Sequence, residues 1–101
     1  PLSHSFVGHG FDVHRFCEDK KMVLCGVTID SDVGFEAHSE GDVALHALID
    51  ALLGAIGASD IGELYPDTDE KHKDANSLEM LKEVVLFVNS VGFEIVNVDI
   101  T

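Results

Sequence analysis

Ala37-His38-Ser39-Glu40-Gly41-Asp42-Val43-Ala44-Leu45-His46, continuing through Ala47-Leu48-Ile49-Asp50-Ala51-Leu52-Leu53-Gly54-Ala55, decides how the rest of the chain must be arranged. Ser39 followed three positions later by the acidic Asp42 is a variant of the capping box, and predicts a helix that starts there and runs to about Ala55. Val43, Ala44, Leu45, Ala47, Leu48, Ile49, Ala51, Leu52 and Leu53 leave that helix almost no polar face. A helix apolar nearly all round is central, with other elements packed on several sides. Its internal polar residues, Asp42, His46 and Asp50, recur every fourth position and so form one stripe. Capping accounts for Asp42 and solvent for Asp50, although either could instead orient an imidazole.

The partners for His46 lie near the N-terminus, in Gly8-His9-Gly10-Phe11-Asp12-Val13-His14. If Ser5 to His14 is a strand, its period of two sends Asp12 and His14 to one face and Phe11 and Val13 to the other. Glycines at 8 and 10 thin that strand where something must approach closely. A lone Asp-x-His pair is usually a solvated face, and a lone helical His is usually a satisfied polar residue. Taken together, Asp12, His14 and His46 read as a zinc-type ligand set. Three protein ligands leave a position open for substrate or water.

Outward from these segments, Met22 to Ile29 is apolar enough for a strand buried on both faces, after a polar turn at Glu18-Asp19-Lys20-Lys21. Asp30 to Gly34 reads as a loop. Beyond the central helix, Gly54, Gly57 and Gly62 break the chain, and Asp60-Ile61-Gly62 with Tyr65-Pro66-Asp67-Thr68-Asp69 form an irregular acidic loop. Asn76-Ser77-Leu78-Glu79 is a second capping box. It opens an amphipathic helix with Leu78, Leu81, Val84, Val85, Val88 and Val91 on its core face and Gly92 just past its end. Val96, Val98 and Ile100 then alternate with Asn97 and Asp99 as a strand. The order of elements predicts an α+β fold, a β-sheet with helices packed on one face. The alternation stops at Thr101 without turn or cap, which reads as a chain cut short, just as Pro1 in place of Met reads as a trimmed or excerpted start.

Composition narrows the chemistry. A chain of 101 residues makes one domain, and no apolar run, at 46% hydrophobic residues overall, is long enough to cross a membrane. Six Lys and Arg face 19 Asp and Glu, for a formal net charge of −13. Nucleic acid is therefore an unsuitable partner, because phosphate neutralisation needs basic clusters. A small anionic substrate would also be repelled unless bound divalent cations and backbone N–H groups reverse the local field. Cys17 and Cys25 fit neither zinc-knuckle spacing nor a disulfide framework, and read as reduced thiols in a cytosolic-type compartment.

Three motifs, residues 8–14, 37–46 and 60–69, resemble 2-C-methyl-D-erythritol 2,4-cyclodiphosphate synthases in order and spacing, and the likeness runs from about Phe6 to Thr101. Glu40 for the family's usual Asp and Tyr65 for Phe are conservative departures. The resemblance implies an enzyme of the non-mevalonate isoprenoid pathway, a metal-dependent phosphorus–oxygen lyase. It would convert 4-diphosphocytidyl-2-C-methyl-D-erythritol 2-phosphate into the cyclic diphosphate with release of CMP, as a homotrimer with active sites between subunits. It implies Zn2+ or a similar divalent cation on Asp12, His14 and His46, and a second divalent cation, Mg2+ or Mn2+, on the substrate diphosphate. Asp12, Val13 and His14 would also line the substrate site. His38 and Ser39 would contact the phosphates, with His38 stabilising the transition state. Asp60, Ile61 and Gly62, with Tyr65, Pro66, Asp67, Thr68 and Asp69, would hold the erythritol phosphate end.

By the same resemblance the 101 residues form a single domain, the N-terminal two-thirds of the synthase. The cytidine-binding part would be absent, so the segment alone would be inactive. A bacterial cytoplasmic location follows, with a plastid protein stripped of its leader as the other source. A truncated, catalytically inactive homologue that keeps zinc for structure is the competing class.

Overall fold

A computed structural model describes residues 4–37, 41–58 and 76–101. The architecture is α+β, with four short strands, β1 (Phe16–Glu18), β2 (Met22–Leu24), β3 (Val27–Ile29) and β4 (Val33–Phe35), followed by helices α1 (Val43–Ala55) and α2 (Ser77–Ser90). The strands form two antiparallel pairs. Phe16, Cys17 and Glu18 of β1 oppose Phe35, Gly34 and Val33 of β4, while Met22, Val23 and Leu24 of β2 oppose Ile29, Thr28 and Val27 of β3. Residues 30–34, expected as loop, thus already contain the start of β4.

The single buried strand expected over Met22–Ile29 is a hairpin instead. Cys25 and Gly26 both take positive φ, 53° and 79°, the conformation a two-residue turn needs to match the twist of its flanking strands. Only Val23 of this hairpin is fully buried, and β3 is exposed along its length. A non-glycine residue in the left-handed region requires support, and Asp42 supplies it from outside the hairpin. Its carboxylate accepts the Cys25 N–H at 3.0 Å and the Gly26 N–H at 2.6 Å. The same carboxylate accepts the Leu45 N–H at 3.1 Å, which makes Asp42 the N-cap of α1. The helix therefore begins three residues later than a cap at Ser39 would place it, and Ser39 lies outside the described residues.

The main core is the seam between the helices. Ile49 and Leu53 of α1 pack with Met80, Val84 and Val88 of α2, and Leu52, Ile56, Leu81, Phe93 and Ile95 close over them. Asn76 caps α2 by accepting the N–H groups of Leu78 and Glu79, and Gly92 follows its end in the left-handed region. Met80 belongs to the buried face, whereas Leu78 and Val91, both expected there, are exposed. Fourteen residues at 100° per residue leave room for only one stripe, and the stripe chosen runs through positions 77, 80, 84 and 88.

Two expected strands, Ser5–His14 and Val96–Ile100, carry no ladder among the described residues. A strand exists by pairing, and here the first segment lies on a helix rather than beside another strand. Its alternation survives as burial: Gly8, Gly10, Asp12 and His14 are half-buried, and His9, Phe11 and Val13 are exposed. What comes close to the two glycines is α1 itself. A Cβ at Gly8 would strike the Ala51 carbonyl, and one at Gly10 the Ala47 carbonyl. The absence of side chains lets the segment lie directly on the helix backbone, which brings Asp12 and His14 beside His46.

Candidate metal centre

Each of the three side chains is aimed by a different device. Asp12 turns one oxygen back on its own backbone, Oδ1 accepting the Val13 N–H at 2.9 Å, and this leaves Oδ2 pointing inward. His14 is held by Gly41, whose carbonyl lies 3.0 Å from Nδ1. Phe35 of β4 supports the same ring, edge to face at 6.1 Å, and is itself stacked on Phe16 of β1 at 5.6 Å. His46, buried on the first turns of α1, has its Nε2 2.9 Å from the Ser77 Oγ of α2. The site is therefore assembled from the N-terminal segment, both helices and the β1–β4 pair.

These restraints leave His14 Nε2 and His46 Nδ1 facing Asp12 Oδ2, at 3.0 and 3.4 Å, with the two rings 5.1 Å apart between centroids. All three ligand atoms lie within 4.8 Å of one another. A carbonyl can only accept, so His14 Nδ1 must be the donor to Gly41. In the tautomer with that proton, the lone pair of the ring stands at Nε2. Burial, and after it the proximity of His14, pushes the His46 imidazole below its ordinary pKa, against the opposing pull of Asp12, and so favours its neutral form. Asp12 Oδ2 is buried and makes no hydrogen bond. Lone pairs from two imidazoles and a carboxylate thus converge on one point. An orphaned buried oxygen among nitrogen lone pairs is unfavourable alone and becomes favourable around a divalent cation. The residues fit such an ion, and one carboxylate with two imidazoles suits zinc-like metals while leaving coordination positions open.

Of the residues expected at the site, Asp12, His14 and His46 are brought together, and Val13 is beside them with its side chain turned outward. His38, Ser39, Asp60, Ile61, Gly62, Tyr65, Pro66, Asp67, Thr68 and Asp69 lie outside the described residues. Asp42 proves to be a buried cap joining α1 to the β2–β3 turn. Ser77 and the Gly41 carbonyl are the positions that sequence reasoning missed, since capping patterns account for Ser77 and nothing local marks a carbonyl.

An α+β domain whose helix-borne histidine meets an Asp-x-His segment, with three ligand-type groups within reach of one ion, has the build of a metal-site protein. Within that class the assignment is direct: the YgbB family model matches residues 5–101, and the chain belongs to that family. The bifunctional enzyme IspD/IspF of Campylobacter concisus is 57% identical over 101 residues, which is all of this chain and 27% of that protein. Its counterpart in Aliarcobacter butzleri is 55% identical over the same length. The chain thus spans about a quarter of these relatives. Among solved structures, the bifunctional IspDF of Campylobacter jejuni superposes with a TM-score of 0.82 at 56% identity, covering 88% of this chain and 24% of that one. A 2C-methyl-D-erythritol-2,4-cyclodiphosphate synthase in its CDP-bound form superposes at 0.78 and 48% identity, covering 85% of this chain and 57% of that one. The family resemblance carried by the three motifs therefore holds.

Proposed function

We propose that this chain supplies the metal- and erythritol-binding part of a 2-C-methyl-D-erythritol 2,4-cyclodiphosphate synthase in isoprenoid precursor biosynthesis, in a bacterial cytoplasmic enzyme. The observation that carries the reading is the convergence of Asp12 Oδ2, His14 Nε2 and His46 Nδ1 on one point, in a chain that belongs to the YgbB family. In the proposed reaction an oxygen of the substrate's 2-phosphate attacks the β-phosphorus, a new P–O bond closes the ring, and the bond to CMP breaks. The substrate brings its own nucleophile, so the protein has to position and neutralise.

The parts follow the residues. Asp12, His14 and His46 would hold zinc, which when bound acts as a Lewis acid toward a phosphate oxygen. His38 and Ser39 would bind the diphosphate, His38 favouring the transition state. Asp60 to Gly62 and Tyr65 to Asp69 would hold the erythritol phosphate end. A second divalent cation on the substrate diphosphate and a homotrimer with active sites between subunits complete the proposal. The residues would form the N-terminal two-thirds of one synthase domain, and cytidine recognition would come from elsewhere in the full-length protein.

His46→Ala in the full-length protein tests the assignment. Alanine keeps α1 helical, so the fold should persist while bound zinc and CMP release both fall, the latter by more than the roughly 10–100-fold typical of losing an outer-sphere partner. Full zinc occupancy with undiminished turnover would refute the reading.

A further inference from the structure

We infer that Ser77 is a positioning residue for the metal centre: its hydroxyl holds Nε2 of His46, so that Nδ1 is the nitrogen offered to the ion. The inference rests on the metal reading above and extends it to a residue that nothing in that reading uses. Ser77 is fully buried, as the first residue of α2, and its Oγ lies 2.9 Å from His46 Nε2 across the helix seam. Nδ1 of the same ring lies 3.4 Å from the orphaned Asp12 Oδ2. One imidazole cannot offer lone pairs on both nitrogens unless it loses both protons, so a neutral His46 that ligates through Nδ1 must carry its proton on Nε2 and donate it to Ser77 Oγ.

The two histidines are thereby oriented in opposite senses. His14 gives its Nδ1 proton to the Gly41 carbonyl and offers Nε2, while His46 gives its Nε2 proton to Ser77 and offers Nδ1. The difference has a geometric cause. Nδ1 is the nitrogen nearer the backbone, so a helix-borne imidazole that ligates through it sits close against α1 and sends Nε2 outward to the neighbouring helix. At that point the seam presents a hydroxyl, whereas the rest of it is built from Ile49, Leu53, Met80, Val84 and Val88. An apolar residue at position 77 would withdraw the hydroxyl that meets Nε2 across the seam and with it this restraint on the ring. Ser77 also ties the metal centre to the start of α2, so that ligand geometry and helix docking depend on one contact.

Isotope-edited NMR of the zinc-loaded full-length protein reads the His46 tautomer directly, and zinc affinity reads its consequence. In the wild type, Nδ1 of His46 should be metal-bound, with a slowly exchanging Nε2–H. Metal-bound Nε2, or no zinc bound at all, overturns the inference, and the second result overturns the metal reading with it. Ser77→Ala should weaken zinc binding about 10–100-fold and speed exchange of the Nε2–H. Ser77→Thr, which keeps the hydroxyl, should recover most of the affinity. Should Ser77→Ala fail to fold, the wild-type tautomer still decides. Zinc affinity in a folded Ser77→Ala within threefold of wild type, with an unchanged His46 signal, would limit Ser77 to helix packing.

Discussion

Asp12 divides its carboxylate between two tasks. Oδ1 is satisfied by the Val13 N–H, and Oδ2 is buried opposite two imidazole nitrogens without a hydrogen bond. Asp12→Asn separates the electrostatic part of this arrangement from its shape. The amide keeps the size of the side chain, its oxygen can still accept from Val13, and its NH2 would then point at the two nitrogen lone pairs and donate to them. The metal-free Asp12→Asn protein should therefore melt at or above the temperature of metal-free wild type. Its response to zinc should vanish, where wild type gains about 4 kcal/mol at a thousandfold excess of zinc over Kd. Thermal unfolding with and without zinc checks both signs, and an unaltered zinc-induced shift would show that Oδ2 does not face the ion. At this scale the sequence was informative about which side chains come together: a period of two aligned Asp12 with His14, and His46 was conspicuous in an apolar helix. It was silent about what orients them. The Gly41 carbonyl is 27 residues from His14, and Ser77 is 31 residues from His46. Only the packing of α2 on α1 and the course of the chain before α1 bring these pairs together.

The elements meet at Asp42, which closes the β2–β3 turn and starts α1 with the same carboxylate. Three backbone N–H groups depend on it. Asp42→Ala should cost about 1 kcal/mol for the lost helix cap, and about 1.5–3 kcal/mol more for each charge-assisted bond withdrawn from the β2–β3 turn where water does not take its place. Urea unfolding should therefore show a loss of at least about 2 kcal/mol, larger than for a cap replaced at a solvent-exposed helix start. A loss under about 1 kcal/mol would show that water replaces the carboxylate at the turn. This joint also explains why the hairpin was hidden in the sequence. Met22 to Ile29 is a largely apolar run, and Cys25-Gly26 is a weak local turn signal next to Asn-Gly or Asp-Gly. The turn is stabilised by a residue 16 and 17 positions away, where pattern reading does not reach. The N-cap of α1 was misplaced for a related reason. Ser39 and Asp42 both suit a cap, and the contact with the hairpin is what favours Asp42. By contrast the bounds of α2 were legible from Asn76 to Gly92, because its cap and its stop are local, while its stripe was read only in part, with Leu78 and Val91 taken for Met80.

Across the whole molecule, apolar side chains are distributed unevenly between inside and outside. The helix seam is well buried, yet the two extended segments at either end of the chain carry Phe6, Val7, Phe11 and Val13, and Val96, Val98 and Ile100, all exposed. The two segments meet at one aromatic contact, Phe6 against Phe93, with ring centroids 5.2 Å apart. Residues that alternate along both segments are the pattern of a half-buried sheet, and that pattern is why both read as strands. What the sequence could not convey is that their backbone groups find no ladder partner among the described residues. Extended backbone with apolar side chains in water is a template for association. Residues 1–101 produced alone should accordingly self-associate or precipitate, whereas in the full-length protein the amides of residues 4–14 and 93–101 should exchange slowly because they are covered. Light scattering on the isolated segment and hydrogen exchange on the full-length protein test the two halves separately. A monodisperse monomer of residues 1–101 would show that the exposed side chains are tolerated in solution. Fast exchange of both segments in the full-length protein would show that nothing there pairs with them, and the sheet reading of residues 96–100 would fail with it.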